Sequence, residues 1–190
     1  MMTVLENHEL IAKISSHGAE AHSLYDKTTK TEYIWQGDKT YWSWHAPICF
    51  PITGRVHNDE YIFENKKYAL TVHGFARDYE FSLLKKTENS VIYELIYNDE
   101  SLKVYPFKFS LQLEYVLSEN GLQVNYTVKN LEDVNKDIFF ALGLHTAYNC
   151  PLEKTDDFED YELIFEQKET AKRHFLSNGI INNETADLLN

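Results

Sequence analysis

Cysteine, glycine and proline are all scarce in this 190-residue chain, which holds two, seven and four of them. Cys49 and Cys150 are too few for a disulfide framework and stand in no metal-ligand spacing, so both read as reduced and structural. Sparse glycine and proline leave no linker, low-complexity tract or internal repeat to mark a domain boundary. Positive charge is short as well: 18 lysines and arginines face 30 aspartates and glutamates, a net charge of -12. The basic residues gather no further than pairs such as Lys66-Lys67 and Lys85-Lys86, which excludes a phosphate-tracking nucleic-acid surface. No apolar run is long enough to span a bilayer, and the opening MMTVLENHEL lacks the basic-then-apolar order of a secretory signal. These absences predict a cytoplasmic protein, away from membranes, whose ligand carries little or no charge.

What the chain has in quantity is material for a core, 43% hydrophobic and 14% aromatic, enough for one sizeable domain. Beta-branched and aromatic residues recur in short alternating runs, whereas helical periodicity is hard to find. The clearest hairpin is FKFSLQLEYVLSENGLQVNYTVKN. Phe107, Phe109, Leu111, Leu113 and Tyr115 share one face, Leu122, Val124, Tyr126 and Val128 another, and Ser118 to Gly121 makes the turn. Further hairpins are expected from Tyr61–Phe63 with Tyr68–Leu70 across Glu64 to Lys67, from Tyr79–Leu84 with Val91–Tyr97, and from Leu10–Ser15 with Ala21–Tyr25. Asp26 to Lys30 reads as a turn before Tyr33–Trp35. Strands at this spacing predict an all-β antiparallel sandwich. After Tyr161–Glu166 periodicity weakens, and the last strands have no evident partner, which reads as a fragment with open sheet edges.

Chemistry concentrates in three runs: PICFPITGR (47–55), HGFARD (73–78) and ALGLHTAYNCP (141–151). His73 follows a strand ending near Val72, and Gly74 lets the backbone turn there; its competing role is a strand-end cap bonded to local backbone. His145 closes an apolar run, a placement that suits either a general acid or a satisfied core histidine. Arg55 offers a planar donor fork for a hydroxyl or ring oxygen, or else an ion pair with Asp59 or Glu60. Arg77 and Asp78 are expected to pair with each other. Tyr33, Trp35, Tyr41, Trp42 and Trp44 form either a wall for a sugar ring or a cover over the sandwich edge. His8, His17, His22, His45 and His174 show no zinc-like spacing, and the acidic run Glu153 to Asp160 reads as a solvated loop.

In the order and spacing of GAEAHSLYDK, YIWQGD, PICFPITGR with HNDEYIF, HGFARDYEF, GLHTAYNCP and FEDYELIFE, the chain resembles the galactose mutarotase (aldose 1-epimerase) family, in particular its LacX-like branch. The resemblance implies a large antiparallel supersandwich, here one domain over 1–190 that matches the N-terminal portion of the family. It implies an isomerase that interconverts the α and β anomers of a free hexose without metal or cofactor. On it, Arg55 corresponds to the substrate-binding arginine, His73 to the histidine of the HG motif, and His145 to the general acid. The family's general-base glutamate would fall beyond Asn190, which implies weak or absent mutarotation. A non-catalytic carbohydrate-binding protein and a hexose-6-phosphate epimerase are the alternatives. A homo-oligomer is one way the open edges could be covered.

Overall fold

The computed structural model describes residues 1–153 and 155–188. Its first sheet is an antiparallel meander of β1 (Met2–Glu6), β2 (Leu10–Ser15), β3 (Ala21–Asp26) and β4 (Thr31–Glu32). Its second, in spatial order β11-β10-β9-β8, contains β8 (Ser82–Lys86), β9 (Ser90–Ile96), β10 (Phe109–Ser118) and β11 (Gly121–Asn130). Strand β10 shows why these segments become strands: Phe109, Leu111, Leu113, Tyr115 and Leu117 are all buried, and the even positions from Gln112 to Val116 are only half-buried. A two-residue period can bury one face completely only on a pleated strand. Val91, Tyr93 and Leu95 of β9 and Leu10, Ala12 and Ile14 of β2 supply the matching apolar faces.

The two sheets are pinned through their tyrosines. The Tyr115 hydroxyl donates to the Ala19 carbonyl at 2.6 Å, and the Tyr93 and Thr3 hydroxyls share a 2.6 Å hydrogen bond. All four residues are buried, so each bond satisfies a polar group that burial would otherwise penalise. The antiparallel sandwich expected from the sequence is therefore the observed architecture.

Details of the hairpins differ from expectation. Between β6 (Glu60–Phe63) and β7 (Lys66–Ala69) the turn is two residues, Glu64 and Asn65, both at positive φ, so Lys66 and Lys67 belong to the strand. A six-residue helix, α1 (Asp99–Val104), interrupts the strands; Asn98 caps it by accepting from the Glu100 and Ser101 amides. Tyr161–Glu166 forms no strand, and the run after it pairs internally as a hairpin of β13 (Lys172–Ser177) and β14 (Ile180–Asp187) across Asn178-Gly179. The last two residues of the ADLLN ending lie outside the described residues.

A central segment, residues 45–55, joins these layers to the site. It contains β5 (Ile48–Cys49), which pairs with β12 (Gly143–Leu144). Beyond that pair, His145 N–H donates to the Pro47 carbonyl, Ala147 N–H to His45 and Ala141 N–H to Pro51. On its other side, Phe50 N–H donates to the His73 carbonyl, the Phe75 and Ala76 amides donate to the Phe50 carbonyl, and His73 N–H reaches Gly54. The segment's near end is held by the buried Glu20 carboxylate, which accepts from the His45 amide at 2.7 Å, the Ala46 amide at 2.9 Å and His22 Nε2 at 3.0 Å. Burial opposes ionisation of Glu20, but the hydrogen bonds from His22 and the two amides, with the His22 charge, outweigh it and hold the carboxyl below its ordinary value.

Two predictions follow from this clamp. A lowered folded-state pKa stabilises the fold above the unfolded value near 4.5 and loses that contribution as pH falls through the folded value. Glu20→Gln should therefore cost about 1 kcal/mol at pH 7, with the gap to the parent closing as pH drops below 4.5; urea denaturation from pH 7 to 3.5 reads both, and a gap that persists at low pH would assign the pH dependence elsewhere. At Gly74, φ is +73° and an added Cβ would collide with the Phe50 carbonyl oxygen and reach 2.7 Å from Pro51 N. Gly74→Ala should lower stability by roughly 1–3 kcal/mol or more and shift the His73 ring resonances, whereas Gly54→Ala, which meets nothing within 4 Å, should do neither.

Candidate functional site

His73 and His145 arrive from opposite sides of the central segment, and their rings meet: the centroids are 5.3 Å apart and the planes 62° to each other. His73 stands at φ +66°, followed by Gly74 at +73°. Left-handed backbone at a non-glycine residue is held in place only when its surroundings demand it. The demand here is the Phe50 contact just described. The His73 ring is oriented by Nδ1, which donates to the Thr53 carbonyl at 2.8 Å. A carbonyl can only accept, so Nδ1 carries the proton, and Nε2 of the neutral ring is the atom left to meet a ligand. The local backbone bond considered for this residue thus exists, and it aims the ring.

His145 is placed by its own amide on Pro47 and by an aromatic neighbour, Trp42, whose indole centroid is 5.2 Å from the imidazole. Of the aromatic run, Trp42 is the member beside the histidines. Trp35 Nε1 donates to the Trp42 carbonyl, while Trp44 carries the Arg77 guanidinium over its face at 5.0 Å. Arg77 also donates to the Val72 carbonyl and lies 4.0 Å from Asp78, so it braces the HGFARD turn. Among the described residues, neither His73 nor His145 forms an ion pair or a hydrogen bond with a carboxylate.

Arg55 is one residue beyond Gly54, which receives the His73 amide, yet its guanidinium is turned to another partner. Nε and an Nη donate to the two oxygens of Asp59, each at 2.6 Å. This fork raises the guanidinium pKa and lowers that of the Asp59 carboxyl, each through the shared hydrogen bonds. The Arg55 side chain lines an opening of about 360 Å³ with His57, Asn58 and the Asn178 turn, and neither histidine lines it. The structure thus brings the His73 and His145 rings together, while the Arg55 head group is paired with Asp59 and faces an opening that neither of those two rings lines. A separate cleft of about 440 Å³, lined by Val56, Ile62, Phe63, Phe107 and Phe139, is almost wholly apolar and also excludes the histidines, so it offers a polyhydroxylated ligand few partners.

The fold makes one cluster that spacing along the chain did not indicate. Glu20, His22 and His45 each present a ligand atom within 4.8 Å of one another, although the sequence gave His22 and His45 no metal-like spacing. The two imidazoles stack at 3.9 Å with planes only 9° apart, so their in-plane lone pairs run in parallel sheets and cannot both aim at one ion. Burial, and then the His22 charge, push the His45 pKa down. The cluster is a carboxylate bracing two rings, and His45 Nδ1 inside it has no hydrogen-bond partner.

Comparison with known proteins identifies the family. Residues 1–183 match the family model for aldose 1-epimerase. The plasmid-encoded protein LacX of Lactococcus lactis subsp. lactis is 35% identical over 188 residues, covering 95% of this chain and 62% of its own length. A galactose mutarotase related enzyme from Lactobacillus acidophilus superposes with a TM-score of 0.93 at 36% identity, over 98% of this chain and 62% of that one. A galactose mutarotase-like protein from Lactobacillus casei gives 0.88 at 39% identity, over 100% and 64%. The chain thus spans a little over three-fifths of the length of these relatives. With the sandwich, the motif order and these matches in agreement, the chain belongs to the aldose 1-epimerase family.

Proposed function

We propose that this chain binds the ring of a free hexose, such as galactose or glucose, over the His73–His145 pair, and that it carries the acid side of a mutarotase site in the cytoplasm. The observation that carries the reading is the meeting of two imidazoles beside an indole, one of them with its tautomer set by a backbone carbonyl. An indole face suits the apolar face of a pyranose. The imidazoles suit proton exchange near neutrality.

Anomer interconversion requires the C1–O5 bond to break. In that step His145 delivers a proton to O5, the C1 hydroxyl gives up its proton, and the electron pair of that O–H bond forms the C1 carbonyl. Rotation about C1–C2 and reclosure by the reverse transfers yield the other anomer. His73, fixed through Nδ1, would accept from a sugar hydroxyl at Nε2, and Arg55 would donate to the ring oxygen only by leaving Asp59. No carboxylate among the described residues touches the histidines, so water is left to take the C1 hydroxyl proton. Loss of a positioned base costs on the order of 10² to 10⁴ in rate, which makes slow turnover the expected state of this chain. The same missing partner favours a second reading, a carbohydrate-binding protein with no turnover. A phosphorylated sugar finds less support, because Arg55 is already neutralised by Asp59.

Titration with galactose should shift the imidazole resonances of His73 and His145 and the Trp42 indole N–H. Polarimetry should find mutarotation at least about 100-fold slower than with the Lactobacillus acidophilus relative, with His145→Ala abolishing what remains while the ring shifts of His73 persist. Sugar-induced shifts at none of the three side chains would overturn the reading; shifts without any rate would select the binding protein.

A further inference from the structure

Two buried side-chain nitrogens lack a hydrogen-bond partner among the described residues, Arg77 Nε and His45 Nδ1. Arg77 spends the rest of its guanidinium on the Val72 carbonyl and the Trp44 face. His45 Nδ1 instead lies 3.9 Å from a Glu20 oxygen that another ring already holds. The two oxygens of that carboxylate have separate duties: Oε1 accepts the His45 and Ala46 amides, and Oε2 accepts from His22 Nε2 at 3.0 Å. Oε2 therefore faces two imidazoles and bonds one.

The two rings cannot both be charged where they stand. They are stacked at 3.9 Å, so two imidazolium charges would repel across a gap too narrow for water to screen. The further charge facing His45 is Glu32 on β4, an attraction, and its own oxygens are met by the Ser23 hydroxyl and the Leu24 and Ile34 amides. On the loop side the ring meets the Gln36 carbonyl and the backbone of Gly37, where a Cβ would sit 2.7 Å from His45 Cε1. That backbone blocks an outward swing of His45. The His22 side chain is 28% exposed against 16% for His45, so His22 is the ring with a way out.

We propose that this cluster is a proton-driven exchange: on acidification His45 Nδ1–H takes over Glu20 Oε2, His22 turns out to solvent, and the change is carried along residues 45–47 to His145. The route is backbone. The His45 carbonyl accepts from Ala147 N–H and the Pro47 carbonyl from His145 N–H, so displacing residue 45 displaces the chain that presents His145. Burial, and then the His22 charge, hold the His45 pKa below its ordinary 6.5, while the Glu20 carboxyl is held below 4.5. The exchange accordingly runs as pH falls below 6.5, and Glu20 stays ionised to receive the second ring until pH passes below 4.5. The inference rests on the geometry of the cluster, not on sugar binding.

Imidazole 15N and backbone amide shifts of the sugar-free chain, followed from about pH 8 to 4.5, read the exchange. The titration of His45 should be matched, at the same midpoint, by a step in His22 Nε2 and in the His145 and Ala147 amides. His22→Phe keeps a flat ring in the stack but removes its charge and its donor. In that variant the proton affinity of His45 should rise about tenfold, the scale of coupled neighbouring sites, and the amide step should move with it. A step caused by the His145 ring's own titration would stay in place, which separates the cluster from the site. His45→Phe should abolish the movable step while His22 Nε2 remains on Glu20; should it fail to fold, His22→Phe decides alone. Independent titration of the two rings with His22 bonded to Glu20 throughout, or an amide step indifferent to His22→Phe, would overturn the inference. A failed galactose titration leaves these readouts untouched.

Discussion

Residues 45–55 are hydrogen-bonded along both margins, and the pairing of His73 with His145 follows from that one arrangement. One margin carries the strand that leads into His145; the other carries the turn that presents His73. At the centre lies Phe50, fully buried, whose ring packs against Phe75, Tyr105 and Phe109 while its carbonyl takes two amide protons from the HGFARD turn. Hydrophobic packing thus fixes a backbone group, and the backbone group fixes an imidazole. Two histidines 72 positions apart in the chain become neighbours without either needing its own anchor in the core.

Glu20 extends the same logic to the start of the segment. A carboxylate with 5% exposure is costly unless its lone pairs are met by donors, and here two backbone amides and an imidazole meet them. Since those amides belong to His45 and Ala46, the charge of the first sheet is spent on holding the segment that serves the site. The stacked His22 and His45 rings complete the bracket, and their parallel planes explain why a set of residues with the right chemistry for a metal lacks the geometry for one.

What could be seen in the sequence was whatever expressed itself as a local period. The β10–β11 hairpin was legible because its buried apolar residues alternate from Phe109 to Leu117, and an Asn-Gly pair marked its turn. The same dipeptide at Asn178-Gly179 also closes a hairpin, but β13 is exposed throughout and β14 is nowhere fully buried, so the flanking strands have no buried face to read. Helix α1 is too short to establish a 3.6-residue period; only the Asn98 cap with Ser101 could have announced it. The three site residues were named from family motifs. Their residue types gave equal grounds for structural roles, and Arg55 in fact has the Asp59 partner that the ion-pair alternative required. The Glu20 bracket escaped because it is assembled from segments whose only link is tertiary.

The Arg55–Asp59 fork has a consequence for selectivity. A guanidinium already matched by a carboxylate gains little by exchanging it for a neutral hydroxyl, since it would surrender two charge-assisted contacts for a weaker one. On the proposed reading, a ligand would engage the arginine only where its other contacts compensate for freeing Asp59, a modest cost for a pair this exposed. If the proposed sugar site is the one this chain uses, Asp59 then sets the threshold that a ligand must exceed to engage Arg55.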